Sequence, residues 1–551
     1  MEVHGGTLGP IAARGRALRR VRRRRKVAFV AGMAAAGIAA GALLNAGDGV
    51  GTASAGVVAG LGYDPADLGS SSTISRMVGA QQAWAAGYTG AGVDVAVIDT
   101  GVTPVAGLDA PGKVLVGPDL SFDSQNGWTP GLDAYGHGTF MAGLIAGRDS
   151  GVSASGAGCG SCLNSSGYSD TTKFVGIAPD ARIVDVKVGA ADGAVDVTQV
   201  IAGIDWVTQH AHDPGVNIRV LSLSYGTDSA QGYKRDALAQ AAEQAWAHGI
   251  LVVAASGNDG RTVNRAADPG YDPYLLSIGA DDPHGTPAPT DDTVPNWAQH
   301  GTNARPIDLV APALHVLGLR VPGSFVDTLP TNTGQVGTRF QRGSGTSEAT
   351  AVVAGVAALI AQRYPNASPD RIKALLNATA TPLPAPAAKP EKIHWGHGLP
   401  NAGAAVTTAL PRAAVAAQTA VDSKGKGSLD ATRNGVTVTD GATALTGERD
   451  IFGHPFDAMA MADAQTTAST WSGGTWNGSR WTGSTWTGTG TTLAWPSTTW
   501  TGTDWAGGGW TGSRWRTQTW DGSRWRGNGW SGSQWTGSGW TDSVWADNAW
   551  R

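Results

Sequence analysis

Short, mostly apolar runs alternate with helical stretches through the middle of the chain. Val93-Asp94-Val95-Ala96-Val97-Ile98 is one such run. Arg182 to Val188, Val220 to Ser224 and Ile250 to Ala255 are others. Each has the length and the β-branched character of a strand buried on both faces. Between them, Asp196-Val197-Thr198-Gln199 predicts a helix start, with a carboxylate cap and Gln three residues later. Val197, Val200, Ile201, Ile204 and Val207 then keep helical spacing. Arg235 to His248 predicts a second helix, stopped at Gly249. Strands alternating with helices imply an α/β fold, a mostly parallel sheet covered on both faces. In such sheets, sites form beyond the carboxyl ends of the strands. Asp99 follows the Val93–Ile98 run, and Ser256-Gly257-Asn258 follows Ile250–Ala255.

The pattern fails at both ends of the chain. Residues 1–55 read as an export segment: a basic stretch through Arg22-Arg23-Arg24-Arg25-Lys26, an apolar Ala-rich run from Val27 to Leu44, then Ala53-Ser54-Ala55 as a cleavage signature. The apolar run is long for a signal and short for a spanning helix. Cleaved, it releases a secreted protein; uncut, residues 27–44 are a membrane anchor with the body still facing outside. Both outcomes place the body on the extracellular side, secreted or held at the cell envelope. Residues 56–75 read as a short pro-segment or linker. Residues 76–412 form the globular domain, long enough to bury its own core. Residues 413–470 are mostly small and polar with little periodicity, and read as a linker.

From Trp471 to the end, residues 471–551, a Trp-x-Gly-x-x repeat takes over, holding 16 of the chain's 22 tryptophans. A five-residue spacing makes no single-faced stripe on a helix or a strand. Three readings stand: multivalent stacking on a surface such as wall glycan or matrix, a β-rich segment that stacks on itself, and a spacer.

A formal net charge of −4 gives no reason to expect a nucleic-acid partner. The two cysteines, Cys159 and Cys162, lie in Gly-Cys-Gly-Ser-Cys and are a disulfide candidate outside the cell. Zinc would need further ligands, and the chain has no third cysteine.

Four short segments carry candidate chemistry. Ala96-Val97-Ile98-Asp99-Thr100-Gly101-Val102 puts a carboxylate at a strand end. Gly136-His137-Gly138-Thr139 opens the apolar helical run Phe140 to Ala146. Ser256-Gly257-Asn258-Asp259-Gly260 is a turn bearing an amide. Gly343-Ser344-Gly345-Thr346-Ser347-Glu348-Ala349 leads into the Ala/Val-rich run to Ala361. In this order they resemble the subtilisin-like serine peptidase family (peptidase S8), whose triad runs Asp, His, Ser along the chain. The long Trp-rich tail adds a likeness to secreted members of actinobacterial type.

The resemblance covers about residues 76–412. It implies a three-layer subtilisin-like fold and hydrolysis of peptide bonds, with Asp99, His137 and Ser347 as the triad. It also implies an oxyanion hole from Asn258 and the Ser347 backbone N–H. The residue types suit that chemistry. A serine hydroxyl needs a base to take its proton. Histidine accepts and returns a proton near neutral pH. A buried carboxylate fixes the imidazole tautomer and stabilises the imidazolium. Ser222-Leu223-Ser224-Tyr225-Gly226 is similar to the family's edge strand that pairs with substrate backbone, and Ser256 and Gly257 join it as substrate-binding candidates. Partners are then polypeptide substrates. No cofactor is required, no metal ligand set is assigned, and no calcium loop is evident, so structural calcium is left open.

Two departures stand out. Glu348 occupies the place where the family often has Met, and Ala351-Val352 that of Pro-His. A carboxyl in a first helical turn suits the helix dipole, and it could also tune Ser347. About 26 residues between the signal and Gln82 look too few for the family's folded propeptide. A non-catalytic envelope protein presenting the tail is the competing class. A lipase or esterase would need a Gly-x-Ser-x-Gly elbow and the order Ser, acid, His.

Overall fold

The computed structural model describes residues 61–122, 131–152, 168, 170–284, 286–329, 332, 334–383, 392–435, 437–440, 443–472, 474–480, 530–531 and 534–535. The expected export segment, both cysteines and most of the tryptophan repeat lie outside the described residues.

Seven parallel strands form the central sheet: β1 (Asp94–Asp99), β2 (Val114–Asp119), β3 (Arg182–Lys187), β4 (Ile218–Leu223), β5 (Leu251–Ala255), β6 (Leu276–Asp281) and β7 (Leu309–Pro312), in the order β2-β3-β1-β4-β5-β6-β7. Nearly every residue in them is buried, as strands covered on both faces require. The chain leaves β3 on one side of β1 and resumes in β4 on the other. This reversal opens a crevice at the carboxyl ends of β1 and β4.

Two short helices, α1 (Ser71–Met77) and α2 (Ala80–Ala85), precede the sheet. Four longer ones cover it: α3 (His137–Ala146), α4 (Val197–His210), α5 (Ala237–Ala247) and, after the four-residue α6 (Phe325–Thr328), α7 (Thr346–Arg363). α4 packs beside α5, and α3 beside α7. A Cβ added to Gly203 of α4 would lie 3.5 Å from Ile98, so Ile98 faces α4. Side chains alternate along a strand, so Asp99 faces the other way, toward α3. α8 (Pro369–Thr379) follows α7. A small antiparallel sheet of β8 (Val316–Leu319), β9 (Gln335–Val336) and β10 (Phe340–Gly343), in the order β8-β10-β9, delivers the chain to α7.

The expected caps are present. Asp196 accepts from the Thr198 N–H at 3.0 Å, and the Asp196 N–H donates to Gln199 Oε1 at 2.7 Å. The second helix begins at Ala237 with Asp236 as its cap, and Gly249 beyond its end has φ 92°.

The segment expected as a short pro-segment or linker and the one expected as a linker both pack onto the body where they are described. Within 56–75, the described residues from Leu61 on pack inward: Leu61, Tyr63 and Ile74 are buried, and Asp67 pairs with Arg342. Residues 413–470 wrap over α5 and α4. The Ser423 N–H donates to Glu243 at 2.9 Å. Arg433 is fully buried and forks onto Asp196, 2.8 Å to Oδ1 and 3.1 Å to Oδ2. Gln465 donates to Asp205 at 2.9 Å. These anchors are single polar residues with partners some 200 positions away, so they leave no periodic trace in the local sequence.

The repeat starts on the same surface. Trp471–Ser472, Thr475–Trp476 and Ser479–Arg480 form an antiparallel meander with Trp471 opposite Trp476. Gly474 has φ 80°, and Asn477 and Gly478 have 49° and 73°, the left-handed pair that tight hairpin turns favour. These turns reset the strand phase, so a five-residue tryptophan spacing fits β structure here after all. Trp476, fully buried, donates to Asp205 at 2.8 Å, and Trp471 to the Ala202 carbonyl at 2.9 Å. Trp530–Ser531 and Gln534–Trp535 pair in the same register as the first hairpin. Among the described residues no helix is long and apolar enough to cross a membrane.

Candidate active site

Asp99 closes β1, and its carboxylate accepts the Thr100 N–H at 2.7 Å. His137 is the first residue of α3. Its Nδ1 lies 2.8 Å from Asp99 Oδ1 and 2.9 Å from Oδ2. Both side chains are only 1% exposed. The approach is close because Gly138 follows: a Cβ there would overlap the Gly101 carbonyl. Burial pulls the imidazole pKa down, but the Asp99 carboxylate, the bond to it, and Glu348 outweigh burial, so His137 stands above its ordinary value.

Asp133 stitches the two loops together, a role the sequence reading missed. Its Oδ1 accepts the N–H groups of Tyr135 at 3.1 Å and Gly136 at 2.6 Å, and the Thr100 hydroxyl at 2.8 Å. Its Oδ2 accepts the Thr139 N–H at 2.8 Å. Thr100 Oγ1 in turn accepts the Gly138 N–H at 2.9 Å. One carboxyl thus holds both the strand end that bears Asp99 and the helix start that bears His137. An Asp four residues before the histidine, at a Gly-rich helix start, was the available signal.

Ser347 is the second residue of α7, after Gly345 and Thr346. It is fully buried, and its Oγ makes no hydrogen bond among the described residues. Ser224 donates to the Ser347 carbonyl at 3.2 Å, tying the end of β4 to this turn. α3 and α7 pack side by side, and His137 interacts electrostatically with Glu348, the neighbour of Ser347.

Asn258 follows β5 and joins the same cluster. Its Oδ1 accepts the Thr346 N–H at 3.0 Å and the Thr346 hydroxyl at 2.9 Å. That fixes the amide's orientation and makes Nδ2 the donor end facing away from Thr346. The Gly257 N–H also donates to Thr346 Oγ1, at 3.2 Å. Asn258 and Gly257 line a recess with Gly226, Ala255, Asp259, Ala267 and Gln299. Gln299 is a further lining residue that sequence reasoning missed, since it arrives from a loop more than 40 positions away.

The remaining candidates divide. Ser256 is fully buried and donates to the Gln299 carbonyl at 3.0 Å, so its side chain is a strut behind the recess. Ser222 pairs with Val97 of β1 on one side and Val253 of β5 on the other, and Leu223 pairs with Ala254. β4 is therefore a central strand, and the expected edge segment narrows to Ser224, Tyr225 and Gly226, which run on past it. Cys159 and Cys162 lie outside the described residues.

The peptidase S8 (subtilase family) model matches residues 90–429. Serine protease AprX of Bacillus subtilis (strain 168) is 35% identical over 295 residues, 52% of this chain and 61% of AprX. Subtilisin DY of Bacillus licheniformis is 32% identical over 332 residues, 60% of this chain and 96% of its own length. Among solved structures, fervidolysin from Fervidobacterium pennivorans, a keratinolytic enzyme related to subtilisin, superposes with a TM-score of 0.46 at 25% identity, covering 61% of this chain and 46% of that one. The match thus spans just over three fifths of AprX and under half of the fervidolysin chain. With the family model covering well over half of its residues, this chain belongs to the subtilase family.

Proposed function

We propose that the protein is a serine endopeptidase that cleaves extracellular polypeptides through an acyl-enzyme. The observation that carries this reading is the buried Asp99–His137 pair, its histidine opening α3, which packs against α7, whose second residue is Ser347. Ser347 Oγ attacks the scissile carbonyl as His137 Nε2 takes its proton. Asp99, on Nδ1, fixes that tautomer and stabilises the imidazolium. The tetrahedral oxyanion draws on Asn258 Nδ2 and the Ser347 N–H, at the positive end of α7. His137 then returns the proton to the leaving amine, and water repeats the sequence to release the acyl group.

An extended substrate pairs its backbone with Ser224–Gly226, and a side chain enters the recess beside Gly226, Gly257 and Ala267. The export segment supports action outside the cell, and the tryptophan repeat supports attachment to wall glycan or matrix. A tail deletion that tests attachment must begin beyond Arg480, because Trp471 and Trp476 are anchored to the body.

Active-site labelling tests the central reading. Full-length protein treated with a fluorophosphonate probe forms an adduct at Ser347, located by peptide mass spectrometry, and Ser347→Ala abolishes it. A folded protein with no adduct would favour the non-catalytic envelope reading.

A further inference from the structure

Besides covering α5 and α4, the wrap reaches the loop beside the recess. Its short helix Leu429–Arg433 and the following Asn434 lie against residues 227–231, which continue the chain past Gly226. The Ala230 N–H donates to the Ala431 carbonyl at 2.7 Å, and Asn434 Nδ2 donates to the Asp228 carbonyl at 2.8 Å. Gln231 is gripped at both ends of its amide. Nε2 donates to the Ser428 carbonyl at 2.9 Å and to Thr432 Oγ1 at 3.1 Å, and Oε1 accepts the Ser428 N–H at 3.2 Å. A Cβ on Gly427 would overlap Gln231 Oε1, so glycine there makes room for the grip. Buried Asp236, the cap of α5, closes the joint by accepting the Ser229 hydroxyl at 2.7 Å and the Thr432 hydroxyl at 2.8 Å.

From this joint two routes converge on Gln299, which lines the recess and is 1% exposed. Gln299 Nε2 donates to Asp228 Oδ1 and to the Arg265 carbonyl, both at 3.3 Å. Bonds of that length are weak, so the amide depends on where its two partners are held. Asp228 is held by Asn434. Arg265 is held by Gln231, whose carbonyl accepts from its guanidinium at 3.1 Å. At its other end, Gln299 Oε1 fills the space that a Cβ on Gly257 would need and accepts the Asp259 N–H at 3.4 Å. The wall of the recess therefore takes its position from a segment far along the chain.

We propose that the C-terminal wrap is part of the substrate-binding apparatus, with Asn434 and Gln231 as positioning residues that set the recess through Gln299. This rests on the serine-peptidase reading above. Without these two side chains, loop 227–231 and the Gln299 amide gain freedom that substrate binding must then remove. The reacting groups stand on other contacts: His137 on Asp99, and Asn258 on Thr346. The effect therefore falls on KM and spares kcat.

Two measurements on the full chain test this. In the first, kcat and KM on a peptide substrate are compared for wild type, Asn434→Gly, Gln231→Ala and Arg433→Met. Asn434 has φ 51°, so glycine keeps the backbone and deletes only the amide. KM rises about three- to tenfold in the Asn434 and Gln231 variants, the scale of one neutral hydrogen bond, while kcat stays within about twofold. Arg433 turns away from the loop to Asp196, so Arg433→Met lowers stability and leaves KM at the wild-type value. A wild-type KM in either folded variant, or a KM raised equally by Arg433→Met, overturns the proposal.

In the second, hydrogen exchange of residues 226–231 is followed by mass spectrometry, which needs no activity. Faster exchange there in Asn434→Gly supports the proposal; exchange at the wild-type rate overturns it. Failure of the peptidase reading would show separately as no fluorophosphonate adduct at Ser347, and the exchange result would still decide whether the wrap holds the loop. Gln231→Ala carries the kinetic test if Asn434→Gly fails to fold.

Discussion

On the wrap formed by residues 413–480, the buried Asp196 meets the Arg433 guanidinium with two bonds, and Arg433 donates further to Asp430 and to the Gly447 and Arg449 carbonyls. At the start of α7 in the candidate active site, the equally buried Glu348 leaves its Oε2, and Ser347 its Oγ, without a hydrogen bond among the described residues. Both regions bury carboxyl groups at the first turns of helices. The wrap saturates them; the site leaves them in reserve. Burial penalises Asp196, yet Arg433 more than offsets it and holds the carboxyl below its usual range. Burial penalises Glu348 too, and its pKa rises. Saturation fixes one geometry and makes a strong latch. Incomplete saturation keeps a group able to bond or exchange a proton during a reaction, at a cost in stability that the surrounding core carries.

Removing one atom from the reserve side separates the regions most sharply. Ser347→Ala lowers kcat by roughly 10⁶-fold, the size known for loss of subtilisin's own serine, and leaves the melting temperature unchanged. A large fall in melting temperature would mean the hydroxyl is structural. The reverse holds on the wrap. Arg433→Met leaves Asp196 buried and unpaired, so stability drops by about 3–5 kcal/mol in urea unfolding, while kcat/KM of the folded protein stays at the wild-type value. Unaltered stability would show that the wrap does not hold the body together.

Asn258→Ala bridges the two behaviours. Losing an oxyanion donor costs about 10²–10³ in kcat, as in subtilisin, with KM little changed. The same side chain also takes the Thr346 N–H, so its loss lowers stability as well. A kinetic loss without any change in stability would show that Thr346 is held by other means.

The smallest effect concerns Asp205, whose carboxyl burial pushes up to about 7 despite bonds from Trp476 and Gln465. Its folded pKa lies above the ordinary 3.8, so the native state holds the proton more tightly than the unfolded chain. Its contribution is therefore complete below the ordinary value and is lost as pH rises to about 7. Asp205→Asn should flatten the fall in unfolding free energy between pH 5 and pH 8. An identical slope in the variant would assign that fall to other groups.

Much of the fold and site was legible in the chain. The short, β-branched apolar runs around Val95–Ile98 and Leu251–Ala255 pointed to buried strands by their length and residue type, and their alternation with helical stretches pointed to a parallel sheet. Asp196 and Gln199 determined a helix start, because a capping box is local chemistry. Asp99, His137, Asn258 and Ser347 could be nominated as candidates because each sits at the boundary of an element, in a glycine-rich context and in a telling order. What remained hidden was long-range. That Asp133 binds two loops, that Gly343 leaves space for Glu348, and that Arg433, Gln465 and Trp476 latch a seeming linker onto α4 depends on partners distant in the chain. The five-residue tryptophan spacing became β structure only because turns at Gly474 and Asn477-Gly478 reset its phase. Local propensity and period are written in neighbouring residues, whereas desolvation and the pairing of buried polar groups exist only once the chain has closed around them.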